Sequence, residues 1–437
     1  MSQTEPRIVA RHDSPHQFEP LLPAESAMGP LLECASDLTR AAGVLGSGSM
    51  PGVHEALRDL LRGMNSYYSN RIEGEHTRPG DIDRALQQDF SAVPDVARRQ
   101  RLAIAHIRTE RYCEQEIDAH RPASEVSPRL HSAQALDWLH HELFRECAPE
   151  DLRLTDGSAM QAGAMRTRAV AVGRHEAPTA AALPAFVARW GQVYGGVRRG
   201  EAALVAAAAS HHRLTWMHPF LDGNGRVARL HTHLLLHAMG LTHGLWSPLR
   251  GFARSEARYK ALLQAADEPH RDDLDGRGSL SQAALVDWIV YALEVCIDQV
   301  RFMTSMLDVS TLKSRIAAAL TFEEQSLRSG VRVEALRPLH YLFAAETELS
   351  RADFKAMTTL GDRIATETVS ALCREGYVAT DSPYGALRFA IPPRALRFYF
   401  PALWPEAEQD AERSAAERRS RSPARAAPRP RRAKATR

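Results

Sequence analysis

Between His218 and Arg229 the chain reads His-Pro-Phe-Leu-Asp-Gly-Asn-Gly-Arg-Val-Ala-Arg. His218 is the one side chain of this stretch that accepts a proton near neutral pH. Gly223 and Gly225 open backbone angles closed to other residues. Gly-Asn-Gly ahead of a helix presents several N–H groups in a concave nest. A helix starting near Arg226 adds its positive end to that nest, which makes it a site for an anion such as phosphate. Arg226 and Arg229 are i and i+3, so they share one face of the first turn. Two guanidiniums on that face can fork onto two phosphate groups. Asp222, at the other edge of the loop, is the kind of ligand magnesium takes beside phosphate oxygens. Base, metal ligand, anion nest and two arginines together suit phosphoryl or nucleotidyl transfer.

The stretch resembles the signature of the Fic family, His-Pro-Phe-x-Asp/Glu-Gly-Asn-Gly-Arg-x-x-Arg, with every fixed position matched. The likeness extends over roughly Leu130 to Met303. It implies a mainly helical catalytic fold and transfer of AMP from ATP to a Ser, Thr or Tyr hydroxyl of a target protein, with release of pyrophosphate. By this resemblance His218 takes the hydroxyl proton, and Asp222 binds Mg²⁺ at the α- and β-phosphates. Gly223, Asn224 and Gly225 line the anion hole, Arg226 meets the β-phosphate and Arg229 the γ-phosphate. Phe220 is a packed anchor. The segment Gly163 to Val172, with Arg166, Val170 and Val172, looks like the flap that grips an extended target segment by strand addition; taken alone it is a plain hairpin. Tyr259 falls where the family presents residues near the nucleotide base, although a tyrosine on a helix is more often core.

Upstream, Ser69-Asn70-Arg71-Ile72-Glu73-Gly74 resembles the inhibitory motif of the same family, Ser/Thr-x-x-x-Glu-Gly/Asn. Ser69 and Glu73 are i and i+4 and face one side of a helix. The resemblance implies that Glu73 pairs with Arg229 and forces ATP into an unproductive pose. A relative that transfers another phosphate-containing group, or removes AMP, is the alternative enzyme. A DNA-binding regulator with a non-catalytic Fic core is the alternative outside enzymes. His218 and both arginines argue against that regulator, and Gly225 in place of a lysine argues against the kinase-like branch.

The elements that must position these residues are mostly helical by periodicity. Helices are expected near 82–90, 96–117, 128–145, 185–194, 201–217, 225–239, 255–266 and 283–307, with a flexible Gly/Ser/Pro break at 43–52. The clear β signal of the first 300 residues is the alternation around Val170 and Val172. His231, His233 and His237 follow the signature on one helix. His233 and His237 have the i, i+4 spacing that clips zinc, but no third ligand is evident, so they read as packing or surface residues, as do His211, His212, His140 and His141. Residues 331–400 read as three helices and a hairpin, the order of a winged helix-turn-helix. Its third helix mixes Arg363 and Arg374 with Asp362, Glu367 and Glu375, so docking to protein suits it at least as well as reading DNA.

The expected organisation is therefore a flexible leader at 1–20, an N-terminal helical region carrying the inhibitory helix at 21–127, a catalytic domain at 128–308, a winged-helix-like domain at 309–405 and a disordered basic tail at 406–437. Basic and acidic residues number 55 and 53, a net charge of +2. Nine arginines and one lysine against Glu417 give the segment Arg413 to Arg437 a charge of +9 and leave −7 elsewhere. Five dispersed cysteines with no Cys-x-x-Cys make a disulfide framework or cysteine zinc site improbable and point to a reducing, cytoplasmic setting. Met1 to Pro20 has no apolar core of a secretory signal, and no apolar run approaches the ~20 residues of a membrane helix. Expected partners are ATP and a hydroxyl-bearing target protein, with a homodimer and DNA as further candidates and no membrane.

Overall fold

The computed structural model describes residues 12–47, 51–119, 129–154, 156–196, 199–345 and 347–402. The basic tail from Arg413 and residues 1–11 of the expected leader lie outside them. The fold is mainly helical with two-stranded sheets. Four helices lead: α1 (Glu25–Ser47), α2 (Pro51–Ile72), α3 (Pro79–Leu86) and α4 (Pro94–Ala119). After α5 (Ala133–Phe144), the strands β1 (Ala171–Val172) and β2 (His175–Glu176) pair antiparallel. Then come α6 (Leu183–Tyr194), α7 (Gly200–Met217) and α8 (Asn224–Ala238), followed by α9 (Leu249–Arg254), α10 (Glu256–Ala266) and α11 (Gln282–Met306).

Helices α7 and α8 are buried along nearly their whole length. A helix buried on all sides must be enclosed by others. Helices α1, α6 and α11 pack on α7, while α2, α4 and α5 pack on α8. The antiparallel pair α7–α8 thus forms the centre, and the signature loop is the turn between them. Trp288 ties α11 to α7 by donating its indole N–H to the Ala208 carbonyl at 2.7 Å.

The expected break at 43–52 does not begin at Gly43, and residues 48–50 lie outside the described residues. Helix α1 runs through Gly43 and Gly46, because Leu31, Ala35, Leu38, Ala42 and Leu45 continue one buried stripe across it. That packing outweighs the ~1 kcal/mol helix cost of each glycine. The described end of the expected leader is docked rather than loose. Phe18 is fully buried against Phe186 and Trp216, Arg189 bonds Glu19, and Arg213 donates to the Pro20 carbonyl at 2.8 Å.

Beyond α11, α12 (Val309–Phe322) precedes α13 (Leu336–Ala344), α14 (Arg351–Thr358) and α15 (Asp362–Arg374). The antiparallel strands β3 (Val378–Ala379) and β4 (Arg388–Phe389) follow. Three helices and a hairpin therefore occur in the order read from the sequence. On α15, Arg363 pairs with Glu367 and Arg374 with Glu375. Among the described residues no helix is long and apolar enough to cross a membrane.

Candidate active site

Helix α7 ends at Met217 and the backbone then turns sharply, with His218 in the left-handed region at φ 47° and ψ 61°. A non-glycine residue there is uncommon and must be held by its surroundings. Arg166 holds it. This buried side chain donates from Nε to the His218 carbonyl at 2.8 Å and from Nη2 to the Met217 carbonyl at 3.3 Å. It also bonds the carbonyls of Arg168 and Pro178, and its own N–H donates to the Pro219 carbonyl. Arg166 was expected on a target-gripping flap. Instead its guanidinium is committed to the loop that carries His218.

The flap itself is shorter and later than the alternation suggested. Strand β1 is only Ala171–Val172, and its partner β2 lies beyond the Gly173 turn. Val170 is half-buried and its carbonyl accepts the Ala177 N–H, while Val172 is exposed.

Burial pushes the His218 imidazole down to about 4, and its bond to the Thr215 backbone opposes this only in part. The ring is therefore neutral at pH 7 and able to accept a proton. Past it, Asn224 clamps the loop with its side chain: Oδ1 accepts the Phe220 N–H at 2.8 Å, and Nδ2 donates to the Phe220 carbonyl at 2.9 Å. Its side-chain amide is thus committed to the Phe220 backbone. Asp222 Oδ1 accepts the Gly223 N–H at 2.6 Å, while Oδ2 faces Arg226 Nη2 at 3.3 Å. Its side chain is 53% exposed, so the carboxylate can turn to a hydrated cation beside phosphate oxygens, as Mg²⁺ requires.

Helix α8 begins at Asn224, directly after Gly223 at φ 79°. Its first-turn N–H groups have no partners within the helix. Arg226 is 5% exposed, and among the described residues its Nε and Nη1 have no hydrogen-bond partner. Its guanidinium lies 4.6 Å from the centre of the Phe144 ring. Arg229, one turn on, is fully buried and bound by the end of α2: Nη2 contacts Glu73 Oε1 at 2.6 Å and the Ser69 carbonyl at 2.9 Å, and Nε contacts Ser69 Oγ at 3.1 Å. The Glu73 carboxylate sits so close to the first turn of α8 that a Cβ at Gly225 would collide with it. Burial alone would raise the Glu73 carboxyl, but Arg229 and Arg226 outweigh it and hold the group below its usual range. Gly74, at φ 80°, ends α2 just after it.

Tyr259 is buried with its hydroxyl 2.9 Å from His211 Nε2, and it lies beside Arg229. It supports the arginine from the core and does not open onto the loop.

One positioning residue escaped the sequence reading. The His140 ring stacks on Phe220 at 3.9 Å between centres and 13° between planes. Its Nδ1 accepts the Gly163 N–H at 2.8 Å, which leaves the proton on Nε2 to donate to the Asp222 carbonyl at 3.1 Å. His140 thus joins the segment before the flap to the signature loop. Burial pushes it down to about 4, so it is neutral in this role. Its sequence context, a histidine on an amphipathic helix, carries no sign of this.

Residues 130–236 match the family model described as the Fic/DOC family. Among solved structures, the chain is similar to a Fic family protein from Desulfovibrio desulfuricans, with 18% identity, a TM-score of 0.49, and coverage of 85% of this chain and 98% of that one. It is also similar to a Fic domain containing signaling protein from Bacteroides thetaiotaomicron, with 18% identity, a TM-score of 0.46, and coverage of 62% and 95%. Residues 134–508 of Fic-1 from C. elegans match with 17% identity, a TM-score of 0.44, and coverage of 65% and 76%.

Proposed function

With residues 130–236 forming a Fic/DOC domain, we propose that this protein transfers AMP from ATP to a Ser, Thr or Tyr hydroxyl of a target protein, and that Glu73 restrains the reaction. The observation that carries the reading is the pair of arginines. Arg226 is buried with two nitrogens unbonded among the described residues, while Arg229 is already engaged by a carboxylate at the same helix start. A buried cation with unused N–H groups beside a helix N-terminus suits an anion supplied from outside.

Neutral His218 takes the proton of the target hydroxyl. The hydroxyl oxygen then forms a bond to the α-phosphorus, and the bond from that phosphorus to the pyrophosphate oxygen breaks. Arg226 and Arg229 stabilise the charge on the departing pyrophosphate. Asp222 is the residue to hold Mg²⁺, which, when bound, neutralises phosphate charge. Glu73 occupies with its own carboxylate a place the phosphate tail needs, so Arg229 is free for ATP only when that contact opens.

Intact-mass measurement of Glu73→Gly after incubation with ATP, GTP, CTP, UTP or CDP-choline, with magnesium, tests the reading. An adenylyl group added from ATP, and absent in His218→Ala, is expected. A different added group would replace AMP transfer with a related reaction. No mass change with any donor would overturn the transferase reading.

A further inference from the structure

Away from the signature loop, α4 places His106, Glu110 and Glu114 at i, i+4 and i+8 on one face. That face packs against α8, where His233 meets it. All four side chains are buried, none exposed by more than 2%. His233 Nε2 is 2.9 Å from Glu114 Oε1 and 3.5 Å from Glu110 Oε1. His106 Nδ1 is 3.5 Å from Glu110 Oε2. From α2, Arg62 donates to Glu114 Oε2 from Nε at 2.9 Å and Nη2 at 2.7 Å, and Asn65 donates to Glu110 Oε1 at 2.7 Å.

Two features of this cluster are unusual for a protein interior. Arg62 balances one of two buried carboxylates and is itself shared with Asp59. Among the described residues, Glu110 Oε2 and both ring nitrogens of His106 have no hydrogen-bond partner, although buried polar atoms are rarely left so. A proton shared between Glu110 and His106 would draw them to hydrogen-bond distance, well inside 3.5 Å. Ligands of one four-coordinate ion with bonds of about 2.0–2.1 Å stand about 3.3 Å apart. The separations of 2.9 and 3.5 Å bracket that spacing, and the Glu110, Glu114 and His233 ligand atoms all lie within 4.8 Å of one another.

We propose that Glu110, Glu114 and His233 form a buried site for a divalent transition-metal ion of the zinc type, with His106 beside it. One imidazole and two carboxylates are a nitrogen–oxygen donor set that zinc accepts, with water as a fourth ligand. The ion supplies the positive charge that Arg62 alone does not. It also corrects the spacing argument at His233 and His237. His237 is bonded to Asp118 at 3.1 Å and Thr242 at 3.0 Å, so the further ligands come from α4, more than a hundred residues upstream. The site pins α4 to α8 and, through Arg62 and Asn65, to the helix that presents Ser69 and Glu73.

The test is refolding of the full chain with Zn²⁺, and separately with Co²⁺, followed by elemental analysis and visible absorption. We expect one ion per chain, the strong visible bands of four-coordinate cobalt and a raised melting temperature. Glu110→Gln/Glu114→Gln, which keeps side-chain shape, should lose the ion. Asp222→Asn and His141→Ala, at the signature loop and the surface, should keep it. Substoichiometric metal and no cobalt bands in the wild-type protein would overturn the proposal without reference to any variant. Metal retained in full by the double glutamine variant would overturn it equally.

Discussion

Replacing Glu73 by glutamine removes the negative charge from Arg229 while leaving a side chain of the same shape in place. The substitution takes away a charge-assisted hydrogen bond of 2.6 Å to a guanidinium that is 1% exposed. Hydrogen bonds to charged groups contribute ~1.5–3 kcal/mol. The Glu73 side chain is itself 32% exposed, and solvent screening reduces this to about 1–2 kcal/mol. If the ion pair must open before Arg229 meets phosphate, that energy appears as a population shift of about 5- to 30-fold toward the competent state. The expected result is a rise of that size in the initial rate of radiolabel transfer from α-labelled ATP. Ser69→Ala removes a neutral acceptor of the same guanidinium and leaves its charge paired with Glu73, so it should raise the rate by a smaller factor. A glutamine variant that binds ATP normally yet transfers at the wild-type rate would refute the idea that this ion pair is the restraint.

Two further outcomes rest on buried histidines. His140→Phe keeps the stack on Phe220 but leaves the Gly163 N–H and Asp222 carbonyl without their ring partner; it should cost ~1–3 kcal/mol in denaturant unfolding and lower kcat more than it raises KM for ATP. His140, pushed down to about 4, and His231, pushed down to about 3, both chiefly by burial, stay neutral in the folded chain where the unfolded chain takes up protons. Stability should therefore rise with pH from about 4 to 6.5, with each histidine costing up to about 2 kcal/mol at pH 5 relative to pH 7. Urea midpoints at the two pH values check this. Over pH 6–8 the transfer rate should show no limb from His218, because burial keeps it neutral throughout.

The sequence displayed the helical centre and the signature loop because both rest on local features, namely periodicity and a dense run of residue types. The contact between Glu73 and Arg229 was legible across 156 positions only because each end carries its own motif. What stayed hidden depends on groups every residue has. Arg166 acts on backbone carbonyls, which leave no trace in residue type, so a buried clamp looked like a flap residue. His140 and the partners of His233 are joined by packing of helices far apart in the chain. The docking of Phe18 likewise needed Phe186 and Trp216 to be in place first. The run through Gly43 and Gly46 shows the opposite error, in which a local helix breaker was given more weight than the stripe packed beneath it.

These packing relations also say how Glu73 can let go. Helix α2 buries Leu61, Met64, Tyr67, Tyr68 and Ile72, and Ser66 Oγ donates to the Ala103 carbonyl at 2.9 Å. Lys260 from α10 meets the Ile72 carbonyl at 3.3 Å. Withdrawing the whole helix would expose that core, whereas Glu73 and Gly74 lie just beyond its last turn and are exposed. Release should therefore be a local movement of the helix end. Gly74, at φ 80° with open space where a Cβ would stand, allows a clean test. Alanine there meets a backbone penalty of about 1–2 kcal/mol with no clash, whereas asparagine tolerates the left-handed region. Gly74→Ala should weaken the hold of Glu73 and raise transfer several-fold, and Gly74→Asn should leave it near wild type. Equal rates in the two variants would show that the helix end does not govern access to Arg229.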